Sequence, residues 1–164
     1  MKDIYLAGGC FWGVEAYFKL YGFKTSCVYI DGDSKATTYD ELKNHLHTHK
    51  EAIHLIYDET KYSLEDILEL FLKIIDPTSI NRQGNDVGQQ YASGIYYTNK
   101  EDKATILAYL EKIQKNYVKK LVVIVKKANN VCEAEVYHQN YLDKNPNGYC
   151  HIDLEKYRGE LNNE

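Results

Sequence analysis

A cysteine flanked by glycines and aromatic residues is the part of the sequence with the clearest capacity for chemistry. It lies in residues 8–13, which read Gly-Gly-Cys-Phe-Trp-Gly. Residues 4–7 have the pattern of a short buried strand and residues 14–20 have helical character, so Cys10 falls where a strand gives way to a helix. Unpaired backbone N–H groups and the positive end of the helix dipole favour a thiolate there. We therefore predict that Cys10 is a nucleophile.

Two aromatic residues, Phe11 and Trp12, follow this cysteine directly. They can wall a small apolar pocket that accepts an uncharged group in preference to a carboxylate or a phosphate. The alternative is a buried structural cysteine packed against two core aromatics. The two glycines before Cys10 permit a tight turn and a close backbone approach, and they favour the reactive site.

Attack by such a sulfur needs a proton donor that stays protonated near neutral pH, and a buried carboxyl or a tyrosine has that property. Glu51 begins a strand in an apolar segment, so its side chain is either directed into the pocket or exposed at the strand end. Tyr39 and Tyr91 border two irregular loops, and each is either a site residue or an ordinary half-buried tyrosine. Asp86 either orients a tyrosine or caps a turn.

A second cysteine, Cys150, lies in a turn-rich segment near the end of the sequence. A thiol on a flexible segment suits a resolving role, in which it attacks an oxidised Cys10 and leaves a disulfide. An incidental surface thiol is the alternative, and the spacing alone leaves both open. For Cys27 and Cys132, on a strand and near a turn, we predict packing roles.

Alternating histidines at His45, His47 and His49 form the one metal-like pattern in the sequence. On a strand, this alternation would place three imidazoles on one face. The segment is predicted to join a helix to a strand, so we expect no metal site. The sequence also lacks a Cys-x-x-Cys pair, a phosphate-binding glycine loop and a dinucleotide fingerprint.

Composition narrows the class of protein further. The net charge is −4 and the pI is about 5.9, with lysines spread among acidic residues, which excludes nucleic acid and anionic membrane as expected partners. No apolar run is long enough to cross a membrane. The four cysteines accompany no secretory signal, so we expect reduced thiols in the cytoplasm.

Hydrophobic periodicity predicts the order strand, helix, strand, strand, helix, strand, followed by a further helix and strand. This order indicates an α+β fold of the ferredoxin-like type, a two-layer α/β plait in which helices cover a mixed sheet. We expect one domain over residues 1–164, in which residues 145–164 form an extended mobile tail that carries Cys150. The predicted strands are 4–7, 24–30, 51–57, 91–97 and 121–126, and the predicted helices are 14–20, 39–47, 64–75, 101–116 and 135–143.

The motif around Cys10 resembles the signature of the A-type peptide-methionine sulfoxide reductases, the methionine sulfoxide reductase A family. The resemblance extends in order over nearly the whole chain. The further matching stretches are Thr38-Tyr39, residues 49–53, Tyr57-Asp58, residues 76–78, residues 81–88, Gln90-Tyr91, residues 137–139 and residues 144–150.

The resemblance implies a role for each candidate. Cys10 would be the nucleophile, with Phe11 and Trp12 holding the substrate methyl group, and Glu51 would protonate the sulfoxide oxygen. The same oxygen would accept hydrogen bonds from two tyrosines supported by a carboxylate. Those three residues are Tyr39, Tyr91 and Asp86. A sulfenic acid would form on Cys10, and Cys150 would capture it as a disulfide.

The resemblance also implies an oxidoreductase that repairs proteins under oxidative stress. Its substrate would be the S epimer of methionine sulfoxide, free or in proteins, and thioredoxin would reduce the disulfide, or dithiothreitol in vitro. We expect no bound cofactor and a monomer. Two alternatives remain: a cysteine hydrolase in which His49 or His138 activates Cys10, and a ferredoxin-like binding module without catalysis.

The sequence departs from the family pattern at four positions. The family usually has glycine where this chain has Val28 and Asp31, glycine where it has Thr48, and alanine where it has Lys50. Many relatives also carry a further cysteine beyond the position of Cys150. This sequence has none there, which favours a single resolving step.

Overall fold

The computed structural model describes residues 1–162; the last two residues of the predicted domain and tail, Asn163 and Glu164, lie outside the described part. Eight strands are present: β1 (Lys2–Ala7), β2 (Lys24–Ile30), β3 (Lys50–Tyr57), β4 (Arg82–Gln83), β5 (Asp86–Val87), β6 (Gly94–Tyr97), β7 (Ile124–Lys127) and β8 (Cys132–Glu133). The α-helices are α1 (Phe11–Leu20), α2 (Tyr39–Lys43), α3 (Leu64–Leu72), α4 (Glu101–Gln114), α5 (Tyr141–Lys144) and α6 (Leu154–Asn162). Short 3₁₀ turns occupy Gln89–Tyr91 and Val136–His138.

Six strands form one mixed sheet in the order β7-β6-β1-β3-β2-β8. The pair β6 and β7 is parallel and the other neighbours are antiparallel. Its central strands β6-β1-β3-β2, with α1 between β1 and β2 and α3 between β3 and β6, have the ferredoxin-like order. The predicted α+β fold class is therefore confirmed. No helix in residues 1–162 combines the length and apolar character needed to cross a membrane.

The alternation of side chains along β3 separates the two faces of the sheet. Glu51, Ile53 and Leu55 point to the face covered by helices, where the large core lies, and Ile53 pairs with Leu6 of β1. Ala52 belongs to a smaller apolar cluster on the opposite face. Strand period alone thus brings the carboxyl of Glu51 to the side of the sheet on which α1 packs.

Two of the departures from the family pattern meet on the opposite face. Asp31 directly follows β2 and has a φ of 57°, a left-handed conformation that glycine adopts more easily. Lys50 Nζ lies 3.4 Å from Asp31 Oδ2, Lys126 Nζ lies 3.2 Å from Oδ1, and Tyr96 donates to Oδ2 at 2.9 Å. Burial alone would raise the pKa of Asp31, but Tyr96 and the two lysines together hold it below its usual value. The turn at Asp31 is therefore held by one hydrogen bond from Tyr96 and by two ion pairs with lysines.

The segment predicted as a loose tail is more structured than its composition indicated. It contains α6, and Ile152 and Tyr157 are buried. The Tyr157 ring packs edge-on against Tyr17 of α1, and its hydroxyl donates to the carbonyl oxygen of Lys73 at 3.2 Å. The turn-forming residues at 145–148 favour a loop locally, whereas Ile152 and Tyr157 dock the following residues on α1.

Other boundaries differ by a few residues. The loop predicted over 78–90 contains the small β4–β5 hairpin, and the strand predicted from Tyr91 begins at Gly94, after a 3₁₀ turn. The helix predicted over 135–143 divides into the 3₁₀ turn at Val136–His138 and the short α5. These segments are ordered by contacts with distant residues, which local periodicity does not report.

Candidate active site

Cys10 lies immediately before the first residue of α1 and is 7% exposed. Gly9 precedes it with a φ of 86°. A Cβ atom on Gly9 would lie 2.7 Å from Gln83 Cβ, and one on Gly8 would lie 2.9 Å from Phe71 and Ile75. Both glycines are therefore required sterically, and together they carry the chain from β1 into the helix with the sulfur at the turn.

The prediction that this position favours a thiolate is wrong for the resting protein. Burial, followed by the nearby carboxyl of Glu51, raises the pKa of the Cys10 thiol well above its usual value. The backbone N–H of Trp12 acts in the predicted direction, but its effect is smaller. Because desolvation exceeds the effect of the helix start, Cys10 is a thiol until its surroundings change.

Glu51 has the burial and the raised pKa that the predicted proton donor requires. It is 1% exposed, and burial raises its pKa to about 8. The backbone N–H of Phe11 donates to its Oε1 at 3.3 Å, and Gln90 Nε2 donates to its Oε2 at 2.7 Å. Both hydrogen bonds favour the carboxylate, yet burial has the larger effect. A carboxyl that is mostly protonated at neutral pH thus lies against the residue that follows Cys10.

Tyr39 and Tyr91 reach the same place from separate loops. Tyr39 begins α2 and Tyr91 ends the 3₁₀ turn after the hairpin. The two phenols interact electrostatically with each other and with Glu51 and Cys10. Burial raises the pKa of each phenol, so both keep their protons. The structure therefore brings together two phenolic donors, one carboxyl and one thiol.

Asp86 lies at the edge of this group, on β5. Burial raises its pKa, while Tyr149 and the nearby His151 act in the opposite direction. The sequence left open whether Asp86 orients a tyrosine or caps a turn, and the resemblance implied support of Tyr39 and Tyr91. The tyrosine that acts most on its carboxyl is Tyr149, from the segment that carries Cys150. Asp86 therefore links the site to the C-terminal segment.

Phe11 and Trp12 are held by residues that the sequence argument did not assign to a pocket. Trp12 stacks on Tyr141 with ring centroids 3.7 Å apart, and its Nε1 donates to His138 Nδ1 at 2.9 Å. Phe11 is buried between Tyr29 and His138, at centroid distances of 5.6 and 5.1 Å. The three rings of Tyr137, His138 and Tyr141, close together in the sequence, are the signal that could have indicated this contact.

The loop that supplies these aromatics is anchored by polar side chains, which the sequence argument missed. Gln139 accepts from the N–H of Cys27 at 2.7 Å and donates to its carbonyl oxygen at 2.8 Å. The buried Glu15 accepts from the N–H of Asn140 at 2.7 Å. Glu135 accepts from the Tyr29 hydroxyl at 2.8 Å. These bonds fix His138 and Tyr141 over the start of α1.

Cys150 lies over the first turn of α1. A Cβ atom on Gly13 would be 2.9 Å from its sulfur, and Gly13 is in the helical turn that follows Cys10. All four cysteines are free thiols. Cys27 and Cys132 are directed at backbone carbonyl oxygens, those of Phe11 at 3.9 Å and Thr37 at 3.8 Å.

The remaining histidines have contacts away from Cys10. His47 bonds to Asp33 at 2.8 Å, and His49 Nε2 lies 2.7 Å from the carbonyl oxygen of Ser34. Within residues 1–162, no three histidine, cysteine or acidic side chains are placed to share a metal ion. The two imidazoles that a cysteine hydrolase would use, those of His49 and His138, are bonded to Ser34 and Trp12.

Comparison with known proteins gives a consistent result. The family model described as peptide methionine sulfoxide reductase matches residues 2–164. The chain is 50% identical over 157 residues to the peptide methionine sulfoxide reductase MsrA of Clostridium tetani, covering 94% of this chain and 96% of that protein. It is 45% identical over 156 residues to MsrA of Malacoplasma penetrans, covering 94% and 98%.

Solved structures show the same fold. Reduced Mxr1 from Saccharomyces cerevisiae superposes with a TM-score of 0.84 and 33% identity, over 93% of this chain and 91% of that one. The same yeast protein in complex with Trx2 gives a TM-score of 0.60 with 21% identity, over 85% of each chain.

Proposed function

The chain belongs to the peptide methionine sulfoxide reductase family, and we propose that it reduces the S epimer of methionine sulfoxide by means of Cys10 and Glu51. One observation carries the proposal most directly. A carboxyl with a pKa of about 8 lies beside a buried thiol at the start of a helix. This pair supplies both the nucleophile and the acid that oxygen transfer from a sulfoxide requires.

In the first step the substrate methyl group packs against Phe11 and Trp12, and the sulfoxide oxygen accepts hydrogen bonds from Glu51, Tyr39 and Tyr91. The Cys10 sulfur attacks the sulfoxide sulfur while Glu51 transfers its proton to the oxygen. The oxygen passes to Cys10, which becomes a sulfenic acid, and methionine leaves. The proton lost by the thiol replaces the one that Glu51 gave, so the step is balanced.

The coupling between the two groups bears on one of the two main causes of the raised Cys10 pKa, burial being the other and larger one. A charged Glu51 raises the pKa of Cys10, since two negative charges in a buried site repel each other. A neutral Glu51 removes that repulsion. The protonated carboxyl is therefore needed twice, as the donor to oxygen and as the neighbour that permits a thiolate to form.

In the second step Cys150 attacks the sulfenic acid of Cys10 and water leaves, which gives a Cys10–Cys150 disulfide. The position of Cys150 over Gly13, in the first turn of α1, supports this assignment. Thioredoxin then reduces the disulfide, and dithiothreitol replaces it in vitro. The complex of yeast Mxr1 with Trx2 supports this choice of reductant.

The wider setting of the reaction is part of the proposal. Substrates are free methionine sulfoxide and oxidised proteins, which the enzyme repairs under oxidative stress. The enzyme works in the cytoplasm as a monomer without a bound cofactor. Four free thiols, three of them directed at backbone carbonyl oxygens, support a reducing compartment.

The test is reduction of dabsyl-methionine sulfoxide with dithiothreitol as the reductant. We expect Cys10→Ser to abolish turnover. We expect Cys150→Ser to release one equivalent of methionine and then to lose cycling with thioredoxin, whereas the matched control Cys132→Ser cycles normally. Turnover in Cys10→Ser would contradict the mechanism, and full thioredoxin cycling in Cys150→Ser would move the resolving role to Cys27 or Cys132.

A further inference from the structure

The side chain of His151 makes contacts that the mechanism above does not use. His151 follows Cys150 directly, and its side chain is 4% exposed. Its Nε2 lies 3.1 Å from the carbonyl oxygen of Gly8. Because a carbonyl oxygen only accepts, Nε2 must carry a ring hydrogen, and in the neutral ring Nδ1 presents a lone pair.

That lone pair faces another acceptor. His151 Nδ1 lies 3.9 Å from Asp86 Oδ2, and neither atom has a hydrogen-bond partner among the described residues. The Asp86 side chain is 15% exposed, so little solvent reaches the gap. Two buried acceptors that face each other are unfavourable, and one proton between them would let the pair close from 3.9 Å to hydrogen-bond distance.

The ring occupies a slot formed by glycines. A Cβ atom on Gly9 would lie 3.3 Å from the His151 ring, and one on Gly13 would lie 3.7 Å from it. On the hairpin side, a Cβ atom on Gly84 would lie 3.1 Å from His151 Cβ. The ring is thus held between the start of α1 and the β4–β5 hairpin, with Asp86 at its open nitrogen.

The carboxylate of Asp86 holds this segment on both sides of the resolving cysteine. Tyr149, the residue before Cys150, also interacts electrostatically with Asp86. Tyr149 and His151 therefore converge on one carboxyl group, and Cys150 lies between them with its sulfur over Gly13.

We propose that His151 is a positioning residue for the second step, in which one proton held between its Nδ1 and Asp86 fixes residues 149–151 over the first turn of α1. The inference rests on the proposed function, because it concerns the attack of Cys150 on the Cys10 sulfenic acid. In that step the S–S bond forms and the S–O bond breaks. The proton of the Cys150 thiol goes to the leaving hydroxyl, which departs as water, so the bridging proton is not consumed.

Several groups face this contact and titrate or carry charge. The groups that are electrostatically coupled to Asp86 come from the start of α1, α2, β3, the 3₁₀ turn and the segment itself: Cys10, Tyr39, Glu51, Tyr91, Tyr149 and Cys150. Burial raises the pKa of Asp86 and lowers that of His151, so burial brings the proton affinities of the two groups closer together. As pH rises and the bridging proton is lost, the acceptors face each other again and the segment loosens.

The experiment is a single turnover with one equivalent of methionine sulfoxide and no reductant. It follows methionine release and Cys10–Cys150 disulfide formation separately, by quenching and mass spectrometry. The variant is His151→Gln, whose single amide cannot bridge Gly8 and Asp86. The matched control is His54→Gln, which removes a histidine that bonds to Asp3 at 2.8 Å on another part of the sheet.

We expect the ratio of the disulfide rate to the methionine rate to fall about tenfold in His151→Gln at the acidic end of the pH range, where the bridging proton is held, since a misplaced thiol reacts less often. The control keeps the wild-type ratio. The advantage of wild type over His151→Gln shrinks as pH rises. Titration of the other groups is common to both proteins and cancels in this comparison, whereas a purely structural role gives an advantage that does not change with pH.

Equal ratios in the two proteins, or an advantage independent of pH, would overturn the inference. If His151→Gln does not fold, ¹⁵N NMR of the wild-type ring replaces it, and an Nδ1 signal that does not change with pH would reject the bridging proton. Failure of wild type to release methionine would reject the proposed function itself. Release of methionine with an unaltered disulfide step in His151→Gln would reject only the role of His151.

Discussion

Two buried carboxyl groups on opposite faces of the sheet have opposite properties. Asp31 accepts hydrogen bonds or ion pairs from Tyr96, Lys50 and Lys126, and its pKa is below the usual value. Glu51 is bonded to an amide and a backbone N–H, and its pKa is raised to about 8. Burial raises the pKa of both carboxyls and is more complete at Glu51, which is 1% exposed against 8% for Asp31. Tyr96 and the two lysines outweigh burial at Asp31, whereas an amide and a backbone N–H do not outweigh it at Glu51.

Alternation along β3 produces this separation. Lys50 and Glu51 are consecutive residues, so one faces Asp31 and the other faces the start of α1. Lys50, one position before Glu51 on β3, therefore does not place its positive charge beside the carboxyl of Glu51. The comparison separates the two kinds of buried carboxyl by their partners. Asp31, which stabilises the fold, is paired with two lysines, whereas Glu51, the proposed acid, is bonded only to neutral donors.

The largest effect is expected for Glu51→Gln, which removes the raised-pKa carboxyl of the two. The amide keeps the shape but donates no proton, so we expect methionine release in a single turnover to fall about 100-fold or more. In wild type, release declines as pH rises through about 8, because the acid form is lost. That decline should be absent in the variant. A wild-type rate in Glu51→Gln would assign the acid role to a tyrosine.

Asp31→Asn probes the other carboxyl, and its effect should be on stability. It leaves the buried ammonium of Lys50 without a carboxylate, so we expect the free energy of unfolding in urea to fall by about 3 kcal/mol. Methionine release by the folded protein should be unchanged. The matched control is Asp33→Asn, at an exposed pair with His47, for which we expect a much smaller change because solvent screens the pair. Equal losses in the two variants would contradict a special role for the buried network.

The smallest effect is expected for Gln90→Leu, which changes the pKa of Glu51 through one hydrogen bond. Gln90 donates to Oε2 and favours the carboxylate, so Gln90→Leu should raise the pKa of Glu51 further. The midpoint of the alkaline decline in methionine release should move up by about one pH unit or less. Gln89→Leu, at an exposed neighbour, should leave it in place. A downward shift in Gln90→Leu would mean that the bond favours the acid instead.

Much of the site was accessible from the sequence because local rules determine it. The two glycines before Cys10 and the change from strand to helical pattern predicted a nucleophile there, and the apolar run after Glu51 left a buried and an exposed carboxyl as alternatives. The order of strands and helices was sufficient for the fold class. Period-two alternation and tight-turn sterics act over a few residues, so the sequence displays them.

The rest depends on contacts between distant residues. The thiol of Cys10 has a raised pKa because 7% exposure outweighs the helix start, and burial is a property of the whole fold. The partner of Asp86 proved to be Tyr149, 63 positions along the chain in numbering. The order in α6 comes from Tyr157 packing on Tyr17. None of these follows from spacing within one segment.

The central claim is that the carboxyl of Glu51 is protonated at neutral pH beside Cys10. Carboxyl ¹³C NMR measures this directly, with the Glu51→Gln variant identifying the signal. We predict a titration midpoint at about 8. A midpoint near the ordinary value of 4.5 would contradict the account.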